Sequence, residues 1–109
     1  MLAAEVRKRV EDEIGDDWTQ SNLHGVDLQR CLLRDPVLTT CVNSFCDSAK
    51  PEDKDNEPQL LLWLVLEEDP VTKKGYQIVY NERTDLFGLA IGGTFLGFHG
   101  NFIATLMGM

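Results

Sequence analysis

Two adjacent glycines, Gly92-Gly93, divide Leu86–Ile91 from Thr94–His99, and no other feature of the chain narrows its fold as much. A two-residue reversal between apolar segments needs positive φ at one or both central positions. Glycine adopts that conformation without steric cost, so the pair predicts a tight β-hairpin. The register then follows by counting. Ile91 faces Thr94, Leu89 faces Leu96 and Phe87 faces Phe98, which makes one large apolar face suited to a core. Gly88 faces Gly97 and Ala90 faces Phe95 on the other side. The Gly88/Ala90/Gly97 face is mostly bare backbone, open to close approach by a helix, a partner chain or a small ligand. A phosphate loop is the competing reading of so many glycines. The stretch "GLAIGGTFLGFHG" has neither G-x-G-x-x-G opening a helix nor the lysine of a P-loop, and the hairpin is preferred.

The other elements fall into place around this hairpin. Leu2, Val6, Val10 and Ile14 recur every four residues with charged residues between them, an amphipathic helix that Gly15 ends. Its basic residues come early and its acidic residues late, against the helix dipole, so packing rather than charge must hold it. A second helix is expected over 26–33, where Leu28, Leu32 and Leu33 form a stripe and Asp35-Pro36 stops it. Residues 37–45 are rich in β-branched side chains and read as the first strand. The stretch 47–59 has no large apolar residue and two prolines, which reads as a solvated, mobile loop that folding does not need. "LLLWLVLE", residues 60–67, lacks alternation and predicts a central strand covered on both faces. Residues 76–80 form another strand, and "NFIATLMGM" a short closing helix with Asn101 as N-cap. The expected fold class is α+β: one domain over 1–109, an antiparallel meander of about five strands (37–45, 60–67, 76–80, 86–91 and 94–99). Two N-terminal helices and a short C-terminal helix pack it.

Strand order has a functional consequence. In an up-and-down sheet the 46–59 loop, the 81–85 turn and the start of the last helix share one end. Asp53, Asp55, Glu57, Glu82, Asp85 and His99 gather there, diluted by Lys54 and Arg83, while Glu67, Glu68 and Asp69 sit at the opposite end. The chain carries 10 basic and 18 acidic residues, a net charge of −8. That sign repels phosphate backbones and attracts basic surfaces, so direct nucleic-acid binding is not expected and a basic protein partner is. The bland alternative is that negative charge serves only solubility.

Candidate chemistry is sparse. His24, Cys31, Cys41, Cys46 and His99 offer zinc-binding atoms, but no second cysteine pair completes a ligand set, and Cys41 falls inside a strand. Asp53-x-Asp55-x-Glu57 suggests a calcium loop, yet its sixth position is Pro58 and its twelfth Leu64. No sequence pattern places a cysteine beside His99, so no catalytic, metal-binding or cofactor-binding residue is assigned. Trp18 and Trp63 read as core anchors. The longest apolar run, 60–66, is far shorter than the roughly 20 residues that span a bilayer. The N-terminus lacks a secretory pattern and three cysteines leave one unpaired, so a reducing, cytoplasmic location is expected.

The order "LWLVLEEDP…GYQIVYNERTDLFGLAIGG…FLGFHGNFIATLMGM", residues 60–109, resembles the C-terminal part of small bacterial domains. Some of these are similar to toxin-immunity proteins of contact-dependent or polymorphic toxin systems. The shared features are structural, and no catalytic residue is carried over. The resemblance implies stoichiometric binding that blocks a cognate basic toxin domain, such as a nuclease, without chemistry by this chain. Asp53, Asp55, Glu57, Glu82 and Asp85 are then the first candidates for the contact surface, with Glu67, Glu68 and Asp69 in reserve. The competing functions are a small-ligand or scaffold module using the Gly88/Ala90/Gly97 face, and an enzyme with a site near His99 that no sequence motif marks.

Overall fold

The computed structural model describes residues 1–22, 24–44 and 57–109. Cys46, Lys54, Asp53, Asp55 and most of the loop expected over 47–59 lie outside the described residues.

The continuous apolar run forms β2, Gln59–Glu67, and it is covered on both faces. Leu60 and Leu62 enter one buried cluster with Cys41, Val79, Ala90 and Phe95. Trp63, Val65 and Leu66 enter a second, larger cluster that holds the helices. β1 (Leu32–Asn43) flanks β2 on one side and β3 (Tyr76–Asn81) on the other. β4 (Leu86–Ile91) and β5 (Thr94–Gly100) complete an antiparallel meander in chain order. The sheet then closes on itself, because β5 pairs in parallel with the end of β1 at Val42↔Thr94 and Asn43↔Phe95. The α+β arrangement is as expected. The closure adds a seam that an open meander lacks.

α1, Ala3–Ile14, presents Val6, Val10 and Ile14 to the larger cluster, all nearly solvent-free. Glu5 accepts the Leu2 N–H at 2.9 Å, supplying an acceptor to one of the orphan donors at the helix start. No basic residue sits in the last turn. Instead Arg7–Glu11, Lys8–Asp12 and Arg9–Glu13 pair at i,i+4. Such pairs contribute only about 0.3–0.5 kcal/mol each, so the buried valines and isoleucine hold the helix. α3, Phe102–Met107, starts as expected with Asn101, whose side chain accepts the Ala104 N–H. Phe102 and Leu106 are fully buried in the same cluster.

Two expectations need correction. The second helix is a single turn, α2, Leu28–Cys31, with Asp27 as its cap. From Leu32 the chain is already strand, and Asp35-Pro36 lies within β1 rather than ending a helix. Between Leu32 and Val37, β1 bulges against β2, which advances only from Leu66 to Leu64. A proline has no N–H to donate, and an irregular stretch of ladder is where a strand can tolerate it.

The β4–β5 register is the second correction. Gly92 and Gly93 do form the turn, with φ of 55° and 83°, and Ile91↔Thr94 and Ala90↔Phe95 pair as counted. Bulges then shift the ladder, so that Leu89 faces Gly97, Gly88 faces Phe98 and Phe87 faces Gly100. Ile91 is exposed, while Phe87 and Leu89 remain in the core. At Gly88 the face expected to be bare is filled from within. A Cβ on Gly88 would lie 2.4 Å from the Gly97 carbonyl oxygen and 2.9 Å from the Phe95 ring. Phe95 and the β5 backbone cover Gly88, leaving no opening there for a ligand.

Candidate functional site

β1 and β2 run on beyond the end of β3. The β2–β3 ladder ends at Trp63↔Tyr80, whereas β1 stays paired to β2 as far as Val42↔Gln59. On this protruding ribbon, Leu38, Thr40 and Val42 share a face with Gln59, Leu61 and Trp63, because side chains alternate. α1 packs over the Trp63 end of that face. Beyond it Leu38, Val42 and Leu61 are left 44%, 53% and 62% exposed. Three apolar side chains in a row on one face of a strand pair form the kind of patch that marks an interaction surface.

Two of the acidic residues expected at this end, Glu57 and Glu82, border the patch, while Asp53 and Asp55 lie outside the described residues. Glu57 and Glu82 line a small cleft of about 150 Å³ together with Leu38, Leu60, Leu61, Asn81 and Arg83. The Glu57 carbonyl accepts the Asn43 side-chain N–H at 2.9 Å and Pro58 O accepts the Asn43 backbone N–H, so the start of β2 is tied to the end of β1. Asn81 Oδ1 accepts the Arg83 N–H, shaping the β3–β4 turn that carries Glu82 and Arg83.

The carboxylates differ in how far they are committed to the fold. Glu82 accepts from the Met1 amino group and, at 3.4 Å, from the Trp63 indole. The first of these contacts holds its carboxyl below the ordinary glutamate value. Asp85 belongs to a separate network. Its carboxylate accepts the Tyr80 hydroxyl at 2.6 Å and Arg9 Nε at 3.1 Å, and these two donors hold it below the usual aspartate range. The same Arg9 pairs with Glu13, which accepts the Ile103 N–H at the start of α3. Burial, aided by the Asp85 carboxylate, pushes the Tyr80 phenol up to about 12. Asp85 therefore ties α1 to the barrel, Glu13 of α1 in turn holds the start of α3, and among the described acidic residues at this end Glu57 has the fewest structural ties.

The reserve residues are occupied at the far end. Glu67 is 6% exposed and paired with Lys73 at 2.9 Å. Glu68 accepts the Tyr76 N–H and faces His24 Nδ1 at 3.4 Å. Asp69 accepts the Val71 and Thr72 N–H groups, and Thr72, through its side chain first and its backbone second, does most to hold the Asp69 carboxyl low. These three organise the β2–β3 turn.

Cys31 and Cys41 are both buried, and desolvation raises both thiols. Among the described residues no three His, Cys, Asp or Glu side chains come together as a metal-ligand set, and no helix is long and apolar enough to cross a membrane. His99 stands apart from the acidic cleft, exposed, in a groove along β5. Sequence reasoning put Glu57 and Glu82 at this end but missed Leu38, Leu61 and Val42. Their residue types signal core, and they stay uncovered because α1 packs over only the Trp63 end of this face.

No protein-family model matches the chain, no curated protein matches it in sequence, and no solved structure matches its fold. The functional reading therefore rests on the chain's own geometry and charge.

Proposed function

We propose that this protein is a non-catalytic binding protein, an immunity-type inhibitor that neutralises a basic toxin domain by covering it. The observation that carries this reading is the apolar ribbon face of Leu38, Leu61 and Val42 bordered by Glu57 and Glu82. An apolar centre with a charged rim is the anatomy of a protein interface. Burial at the centre provides affinity, and the rim provides orientation. The net charge of −8 adds attraction to a basic partner and speeds encounter at low salt. A nuclease domain fits this chemistry, because acidic side chains can occupy positions that substrate phosphates otherwise take.

The test pairs capture with kinetics. Tagged wild-type protein and a Leu38→Asp/Leu61→Asp variant are each used to capture partners from the native host. The expected outcome is a basic protein retained by the wild type and lost with the variant, whose own melting temperature stays close to wild type. Association with the purified partner should slow as salt rises. Capture of an acidic partner, or retention by the variant, would refute the reading.

A further inference from the structure

β2 has two strand neighbours along most of its length and one at its start. β1 pairs with it as far as Gln59, whereas the ladder with β3 stops at Trp63↔Tyr80. Among the described residues, 59–62 therefore have a strand on one side only. In an antiparallel ladder successive residues turn their N–H and C=O to opposite sides. Half of these residues thus point main-chain donors and acceptors at the place that β3 has left. The small cleft opens there, between Leu60 and Leu61 of β2 and Asn81, Glu82 and Arg83 of the β3–β4 turn. At about 150 Å³ it is well below the roughly 300–1,000 Å³ of small-molecule sites and suits one side chain of a longer occupant.

We propose that this edge is a strand-addition site: an extended, basic segment of a partner protein pairs with residues 59–62 where β3 has left off and continues the sheet. The proposal rests on the inhibitor reading for the partner and adds how that partner is held. An open edge favours any extended chain through main-chain hydrogen bonds, and the side chains around it choose among them. Two properties are chosen here. On the outer face, side chains of an added strand would lie beside Leu61, which is 62% exposed, so alternate positions should be apolar. The flanks favour positive charge. Glu57 and Glu82 outnumber Arg83 among the described residues lining the cleft, and the Glu57 carboxylate has no partner among the described residues. The sequence joining β1 to β2 carries Asp47, Glu52, Asp53 and Asp55 against Lys50 and Lys54, which adds to the same sign. A second copy of the chain, at a net charge of −8, meets repulsion at this edge where a basic segment meets attraction.

The test is an NMR titration of the full, ¹⁵N-labelled chain with three capped hexapeptides. The first alternates lysine and valine, the second glutamate and valine, and the third repeats the first with every amide N-methylated. The lysine peptide should shift the amides of residues 59–62 saturably, with a Kd of about 1 mM, and slow hydrogen exchange at those not already bonded to β1. The glutamate peptide should bind at least about ten-fold more weakly, and so should the methylated one, which has lost its main-chain donors. Glu57→Gln leaves the backbone bond to Asn43 in place and should narrow the gap between the lysine and glutamate peptides by about three-fold. The proposal is overturned if the lysine peptide leaves residues 59–62 unmoved, if either other peptide binds as well, or if Glu57→Gln leaves the gap unchanged. Protection of these amides that grows with the concentration of the chain alone would assign the edge to a second copy and also overturn it. The inhibitor reading has a separate fate. A basic partner that Leu38→Asp/Leu61→Asp loses, but that leaves exchange at residues 59–62 unchanged in wild type, would keep the inhibitor and refute strand addition. Binding of the lysine peptide at the edge together with capture of an acidic partner would keep the edge as a site for basic segments and refute the inhibitor.

Discussion

Replacing Gly88 with alanine adds one methyl group where the β4 and β5 backbones come close together. The new Cβ would sit 2.4 Å from the Gly97 carbonyl oxygen and 2.9 Å from Phe95 Cε1. A ring can tilt, but a strand carbonyl opposite cannot swing away without moving β5 relative to β4. Overpacking a tight site costs about 1–3 kcal/mol, and a backbone obstacle puts this case at the upper end. Alanine also loses less conformational freedom than glycine on folding, which offsets about 0.5–1 kcal/mol. The net expectation is a loss of about 2 kcal/mol. At about 4–8 °C per kcal/mol for a domain of this size, the melting temperature should fall by about 10 °C or more. Urea and thermal unfolding followed by circular dichroism measure both quantities. Combining Gly88→Ala with Phe95→Leu separates the two obstacles. The shorter side chain relieves the ring contact and leaves the carbonyl, so the cycle should return only a minor part of the loss. A Gly88→Ala protein within about 0.5 kcal/mol of wild type, or one fully restored by the Phe95 change, would refute the claim that the β5 backbone walls this position.

Gly92 and Gly93 have open space around their Cβ positions but positive φ, so Gly93→Val should cost roughly 1 kcal/mol or more through backbone strain alone, read as a shift in urea midpoint with unchanged slope. Asp85→Asn keeps a residue type that tolerates its φ of 55° and removes the charge. The carboxyl is held low in the folded protein, so its contribution is present above the unfolded value of about 3.9 and is lost as pH falls through the folded one. The variant should be less stable at pH 7 by less than about 1 kcal/mol, since the Asp85 side chain is 59% exposed, and the difference should shrink in pH-dependent melts as the pH falls below the unfolded value. Tyr80→Phe removes one donor from the same network and should cost about 1 kcal/mol in denaturant titrations at neutral pH. Glu57→Gln with Glu82→Gln should slow association with a basic partner and flatten its salt dependence in stopped-flow measurements; unchanged rates would remove these two from the contact rim.

Much of this fold was legible in the chain because its signals are local. The spacing of Val6, Val10 and Ile14, the unbroken run through β2, the Gly92-Gly93 turn and the Asn101 cap each depend on a few neighbouring residues, and each stands where the sequence puts it. What tertiary structure alone decided are the places where one element sets the fate of another. Leu32 and Leu33 carry a helical stripe, yet pairing with β2 draws Leu32 into a strand, since ladder bonds and burial outweigh a short helix's propensity. Equal counting from the turn fails beyond Ala90 because β4 and β5 must bulge as the sheet curls to meet β1, and that curl brings Phe95 over Gly88. The exposure of Leu38 and Leu61 follows from how far α1 reaches over β1 and β2, and the groove beside His99 borders β5 beyond its pairing with β1. Both are relations between elements distant in sequence, which no local pattern of residues records.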